Sequence, residues 1–180
     1  DGDGTPGNSD MPTQTASLGD GRVAVAIAAG IGHTCAVLDD GNVSCWGSDG
    51  DGQLGGGGEG DTETPTLTEE FGGGSDPFTI SAGEYSTCVA IEGTGYDRVF
   101  CWGNGVDTPT YISGWQTGSP VTGGDSLAVG GDHQCAILQS GEIGCWGDNG
   151  HGQLGNGTFD SGRDYPDVAS IGSLQSWEPI

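Results

Sequence analysis

The sequence predicts an all-β chain assembled from three similar units, and three observations carry that reading. A short hairpin pattern recurs with a cysteine on each arm and a Trp-Gly pair directly after the second cysteine: Cys35 to Cys45-Trp46-Gly47, Cys88 to Cys101-Trp102-Gly103, and Cys135 to Cys145-Trp146-Gly147. Self-similarity of this kind marks stacked supersecondary units. No window places apolar residues at sustained helical spacing, whereas short Val, Ile, Ala and Cys runs are bounded by Gly, Asp, Asn and Pro, the punctuation of strands and turns. Finally, 39 glycines and 32% hydrophobic residues in a chain of 180 leave no large aliphatic core to build.

Residues 1–21 are Asp, Gly, Pro, Thr, Ser and Asn for the most part. They read as a mature N-terminus or linker left after removal of an export signal, extended or disordered unless a partner orders them. The first unit, 22–78, opens with a small-residue strand from Val23 to Ala28 and reaches Gly30 shortly before its first cysteine. The second unit, 79–125, repeats this opening as Ser81-Ala82-Gly83, and the third, 126–172, as Ala128-Val129-Gly130. Within the first hairpin, Cys35 opposite Cys45 puts Val37 opposite Val43 and closes on Asp39-Asp40-Gly41, with glycine at the left-handed bulge position. The third hairpin repeats that geometry, with Ile137 opposite Ile143 and the turn Gln139-Ser140-Gly141, while the second has a longer loop from Glu92 to Asp97. Two units carry one more shared turn, Asp51-Gly52-Gln53-Leu54-Gly55 and His151-Gly152-Gln153-Leu154-Gly155; the middle unit lacks it. The tail, 173–180, resembles the opening strand of a fourth unit.

Charge excludes some functions. There are 26 acidic residues against three arginines, no lysine, and a formal net charge of −23. Such a surface repels nucleic acid and anionic lipid, which both require cationic neutralisation of phosphate. Such acidity could mark a site for cations or a basic partner, but the acids are scattered rather than clustered, which favours solubility at high, halophilic salt, where screening removes self-repulsion. No apolar run approaches the ~18 residues of a membrane span. Six cysteines in three local pairs fit cross-strand disulfides in an oxidising, extracellular compartment. Buried free thiols are the alternative; metal ligation is weaker, because no CxxC spacing occurs and each hairpin offers only two sulfurs.

Gly32-His33-Thr34-Cys35-Ala36-Val37, Val43-Ser44-Cys45-Trp46-Gly47 and Gly52-Gln53-Leu54-Gly55 together resemble the regulator-of-chromosome-condensation type of repeat, and the second and third units resemble further copies. The resemblance covers residues 22–172 and implies a β-propeller architecture with one four-stranded antiparallel blade per unit, in the secreted subset with paired hairpin cysteines. Members usually close with about seven blades, within the ~4–8 that propellers use. Three units cannot close a ring, so the array is expected to be part of a larger propeller or to be completed by other copies of itself.

Two functions follow. The first is a non-enzymatic secreted structural or adhesion protein that self-assembles head-to-tail into a filament or ring, as heterologous contacts do. Its interface would use Val23, Val25 and Ile27 at one end and Leu174 and Trp177 at the other. The second is a propeller module that binds a protein or glycan on a loop face, with Tyr85, Tyr111 and Trp115 as candidate contacts. No hydrolase elbow, phosphate loop or dinucleotide fingerprint is present. Calcium would require six to eight oxygens; the candidate ligands are Asp49 and Asp51, in Asp49-Gly50-Asp51, and Asp148, in the group Asp148-Asn149-Gly150 read as its equivalent. Asn156, in the sequon Asn156-Gly157-Thr158, is the candidate glycan acceptor. His33 and His133 hold the same repeat position and read as hydrogen-bonding structural residues; Trp46, Trp102 and Trp146 read as fillers of blade interfaces.

Overall fold

The computed structural model describes residues 11–58, 60–69, 71, 77–92, 97–113, 127–138 and 141–160, and the backbone of 167–169. These residues contain three four-stranded antiparallel sheets and no helix. The first sheet is β1 (Ala24–Ala29), β2 (His33–Leu38), β3 (Val43–Gly47) and β4 (Thr62–Leu67). The second is β5 (Pro77–Ala82), β6 (Ser86–Ile91), β7 (Arg98–Gly103) and β8 (Val106–Tyr111). The third is β9 (Leu127–Val129), β10 (His133–Ile137), β11 (Ile143–Gly147) and β12 (Asp167–Ala169). Strands follow chain order across each sheet, the meander of a propeller blade. β5 already starts at Pro77, inside the first unit as read from the sequence.

Hairpin registers follow from the turns. Cys35 pairs with Cys45 and Val37 with Val43, and the loop closes through Leu38 N–H to the Asn42 carbonyl at 2.8 Å, with Gly41 at φ 83°. Cys135 pairs with Cys145 and Ile137 with Ile143 in the same way. Each facing cysteine pair is joined by a disulfide, with Cα atoms 4.1 Å apart. The bridges close sequence separations of 10, 13 and 10. Replacing Cys88 and Cys101 together by alanine is expected to remove ~2–3 kcal/mol of stability by freeing the unfolded chain. A urea-denaturation midpoint that stays in place would refute this.

The sheets stack face to face. β1 lies against β5, and β5 against β9, so the first strand of every sheet sits on a common inner side. The core between the first two sheets takes Val37, Val43 and Leu54 from one and Ile80, Val89, Ile91, Phe100 and Trp102 from the other. Between the second and third it takes Cys88, Ala90 and Val99 against Ala136 and Trp146, with Leu127 and Val129 packed beside them. Small residues on the inner strands let backbones meet: a Cβ on Gly30 would strike the Gly83 carbonyl oxygen, and one on Gly83 would strike that of Gly130.

The outward faces of the stack differ from the inner ones. Ile27, Ile80 and Leu127 each pair with the residue after the first cysteine of their sheet. Ile80 and Leu127 pack on the preceding sheet, whereas Ile27 is 66% exposed. On the opposite face, Val37 and Ala90 are fully buried but Ile137 is 46% exposed. Part of the first sheet's outward face is nevertheless covered, because Leu18 packs on Ala36, Leu38 and Trp46. The segment leading there is pinned by Arg22 Nε donating to Asp40 Oδ2 at 2.6 Å and by Val23 N–H donating to Asp39 Oδ1 at 2.9 Å. Its described residues, 11–23, carry no strand.

Candidate functional site

The contacts between neighbouring blades are where the chain's polar chemistry concentrates. At the first interface the organiser is Asp49, whose carboxylate accepts from Leu54 N–H at 2.9 Å and from Gly60 N–H at 3.2 Å. Gln53 Oε1 accepts from Asp51 N–H at 2.8 Å. These bonds shape the β3–β4 loop so that the Gln53 carbonyl faces the second blade. There it accepts from the Trp102 indole N–H at 2.7 Å and the Thr87 hydroxyl at 3.3 Å. His33 Nε2 lies 2.7 Å from Thr87 Oγ1. Because the single Thr87 proton goes to Gln53, His33 donates from Nε2, which leaves Nδ1 as a buried acceptor without a hydrogen-bond partner.

Burial holds the His33 imidazole below its ordinary pKa, against the opposing pull of Asp49. The unfolded chain therefore takes up a proton near pH ~6.5 that the folded chain declines. The His33 contribution to stability is present above that pH and is lost progressively as pH falls toward the lowered folded-state value. Urea denaturation across this range should show a shallower pH slope for His33→Gln, which keeps a donor for Thr87 and cannot titrate. An unchanged slope would contradict the assignment.

The third unit rebuilds the same loop with different chemistry. Asn149 Oδ1 accepts from Leu154 N–H at 3.0 Å, and Gln153 Oε1 accepts from His151 N–H at 2.8 Å. The counterpart of Asp49 is thus Asn149, not Asp148 as the sequence grouping had it. Asp148 is half-buried and accepts from Gly150 N–H and Gln153 Nε2, which together hold its carboxyl below the usual range. Asp51 is exposed and uses its main-chain carbonyl, on Gly105 N–H. Asp49, Asp51 and Asp148 therefore act as turn-shaping groups, and among the described residues no three His, Cys, Asp or Glu side chains are grouped to hold a metal. Asn156 is half-buried, its Oδ1 accepting from Thr158 N–H and the Thr158 hydroxyl.

The second interface departs from the first. Ser86 stands where His33 does and Gln134 where Thr87 does, and Gln134 Nε2 donates to Ser86 Oγ at 3.3 Å. A long partner has replaced a short one as a short one replaced a long one, so the buried contact survives. The loop above it does not. β7 and β8 are joined by Asn104-Gly105 alone, at φ 57° and 84°, the two-residue turn that suits an Asn-Gly pair. With no Gln-Leu turn to insert, a cavity of about 420 Å³ opens, lined by Ser86, Trp102, Asn104, Ile112, Asp132, Gln134, Trp146 and Asp148 among others. Asn104 Nδ2 donates to Asp132 Oδ1 at 3.3 Å at its edge.

Val23, Val25 and Ile27 are exposed at the outward end of the first sheet. Leu174 and Trp177 lie outside the described residues, as does Trp115. Tyr111 packs on Phe100, with ring centroids 5.6 Å apart, and Tyr85 sits in the β5–β6 loop, its phenol pKa raised by a hydrogen bond to Glu84. Sequence reasoning passed over Thr87, Ser86 and Gln134. The signal for all three is their place in the repeat, one or two residues before the first cysteine of a unit.

Stacked four-stranded meanders, inner strands side by side, and a buried Trp from the third strand at each interface define a β-propeller repeat protein. The chain belongs to the regulator of chromosome condensation (RCC1) repeat family: its repeats match at residues 24–53 and 125–153, and in a second form of the repeat at 40–90. It is similar to the human E3 ubiquitin-protein ligase HERC2, with 31% identity over 78% of this chain and 3% of that protein. It is also similar to the Arabidopsis thaliana ultraviolet-B receptor UVR8, with 32% identity over 76% of this chain and 32% of the receptor. Among solved structures, yeast RCC1 (Prp20), determined with Kap60 bound, superposes with a TM-score of 0.67 at 20% identity, over 81% of this chain and 37% of that one. The chain thus spans a third or less of these curated relatives.

Proposed function

We propose that the chain is a non-enzymatic protein-binding module: an arc of an RCC1-type propeller that holds a partner on the loop side of its second and third blades. The observation that carries this reading is the cavity at their interface, which has buried polar groups in its wall and exposed Asn104 and Asp132 at its mouth. That a relative of the same fold was solved with a protein partner is consistent with it. Three disulfides favour an oxidising, extracellular setting.

A second reading, head-to-tail assembly of copies, draws on the exposure of Ile27 and Ile137, positions that are buried or partly buried wherever a neighbouring blade is present. The Leu18 contact, which already occupies part of that end, weighs against it. A photo-crosslinking amino acid at position 104, introduced in the organism that makes the protein, separates the two. Adducts to a different extracellular protein support the module. Adducts only to other copies of this chain support assembly, and no protein adduct at all overturns the binding reading.

A further inference from the structure

We infer that the cavity between the second and third blades is a socket for a leucine-sized aliphatic side chain of a partner protein, presented on a tight turn flanked by lysine or arginine. This rests on the binding-module reading and names its ligand class. The chain itself supplies the template. At the first interface the corresponding space is filled by the Gln53-Leu54 turn: Leu54 is buried in the core between the blades, and Gly55 lies against the Trp102 indole. The same loop also ties itself to the next blade's β7–β8 turn, through Gly105 N–H to the Asp51 carbonyl and Gly57 N–H to the Asp107 carbonyl. At the second interface Trp146 takes the place of Trp102 and Gln134 that of Thr87, but the Asn104-Gly105 turn is too short to provide the plug.

The size and charge of the vacant space select the occupant. About 420 Å³ lies within the ~300–1,000 Å³ of pockets that hold ligands, room for a turn rather than one side chain. Ser86 and Gln134, 3% and 8% exposed, put buried polar groups beside the apolar surface of Trp102, Ile112 and Trp146, as a peptide turn with both a hydrocarbon side chain and main-chain amides would need. Asp132 and Asp148 line the same cavity in a chain of net charge −23, so a cationic flank is complementary. A second copy of the chain does not fit this description. Its own Gln-Leu turns bury Leu54 and Leu154, and its charge repels.

The test uses the full chain and a synthetic capped peptide, Arg-Gly-Gln-Leu-Gly-Lys, titrated by calorimetry at low and at high salt. Saturable binding is expected, weakened roughly 30- to 100-fold when serine replaces the peptide leucine and weakened by salt. Thr110→Trp, which places a large ring at an exposed position of the cavity wall, should abolish it while leaving the denaturation midpoint in place. A second variant carrying the loop 48–61 in place of Asn104-Gly105 should also lose binding. Equal binding of the serine peptide, indifference to Thr110→Trp, indifference to salt, or no binding at all overturns the socket. If the peptide fails while position 104 still crosslinks to another protein, the socket falls and the binding-module reading stands.

Discussion

Trp102→Ala is expected to cost ~3–5 kcal/mol of folding free energy, the range for deleting a buried large aromatic. Trp102 is 1% exposed, its indole N–H bonds the Gln53 carbonyl at 2.7 Å, and its ring lies 5.9 Å from that of Phe71 between centroids. It is the point at which the first blade's loop, the second blade's β7 and the shared core meet. Trp102→Phe separates the contributions. It retains most of the apolar burial and removes one donor from a carbonyl that Thr87 still serves, so ~1–2 kcal/mol is expected. Guanidinium denaturation of the two variants checks this, and a Trp102→Ala cost below ~1 kcal/mol would mean that the blades do not depend on this contact for their packing.

Gly83→Ala should destabilise by the upper part of the ~1–3 kcal/mol typical of overpacking. Its added Cβ would meet the Gly130 carbonyl oxygen and come within 2.8 Å of Val129 Cγ1. The obstacle is mostly backbone, held by the pairing of β9 with β10, so relief requires β5 and β9 to move apart. Gly50→Ala is the control, since Gly50 has nothing within 4 Å of a Cβ; it should stay within ~0.5 kcal/mol of the parent. Comparable midpoints for the two variants would show that inner strands can separate freely. The same logic applies to Gly30, whose Cβ would meet the Gly83 carbonyl, and it explains why every unit opens on small residues.

Both substitutions act at surfaces between repeats, and the acidity of the chain does not. Arg22 and Asp40 form an ion pair at a partly exposed site beside the first hairpin, where solvent screening leaves such a bond little weight. Stability therefore rests on disulfides, short apolar strands and the interblade hydrogen bonds.

Much of this was legible in the residues because it is local. A cysteine pair across a hairpin of given length fixes the register, and Gly41 fixes the bulge, so Val37 meets Val43 without any knowledge of the rest of the molecule. The recurrence of Cys-Trp-Gly announces stacked β units for the same reason, and the absence of the Gln-Leu turn from the middle unit can be read by eye. What that absence creates cannot. Whether a missing loop leaves solvent, a collapsed contact or a cavity depends on what the neighbouring blade presents, here Trp146, Gln134 and Asp132 brought up from residues distant in sequence. The equivalence of Asp49 and Asn149 follows from aligning their Gly-Gln-Leu-Gly turns, but the role they share, accepting from the N–H of Leu54 and of Leu154, appears only in the folded loops. By itself the sequence determined the strands, the hairpin registers, the disulfide partners and the repeat class, all consequences of short-range geometry. Only the tertiary structure decided which polar groups meet across the blades, which apolar positions stay open at the ends of the stack, and where a partner can enter, because those depend on packing between units that no local pattern encodes.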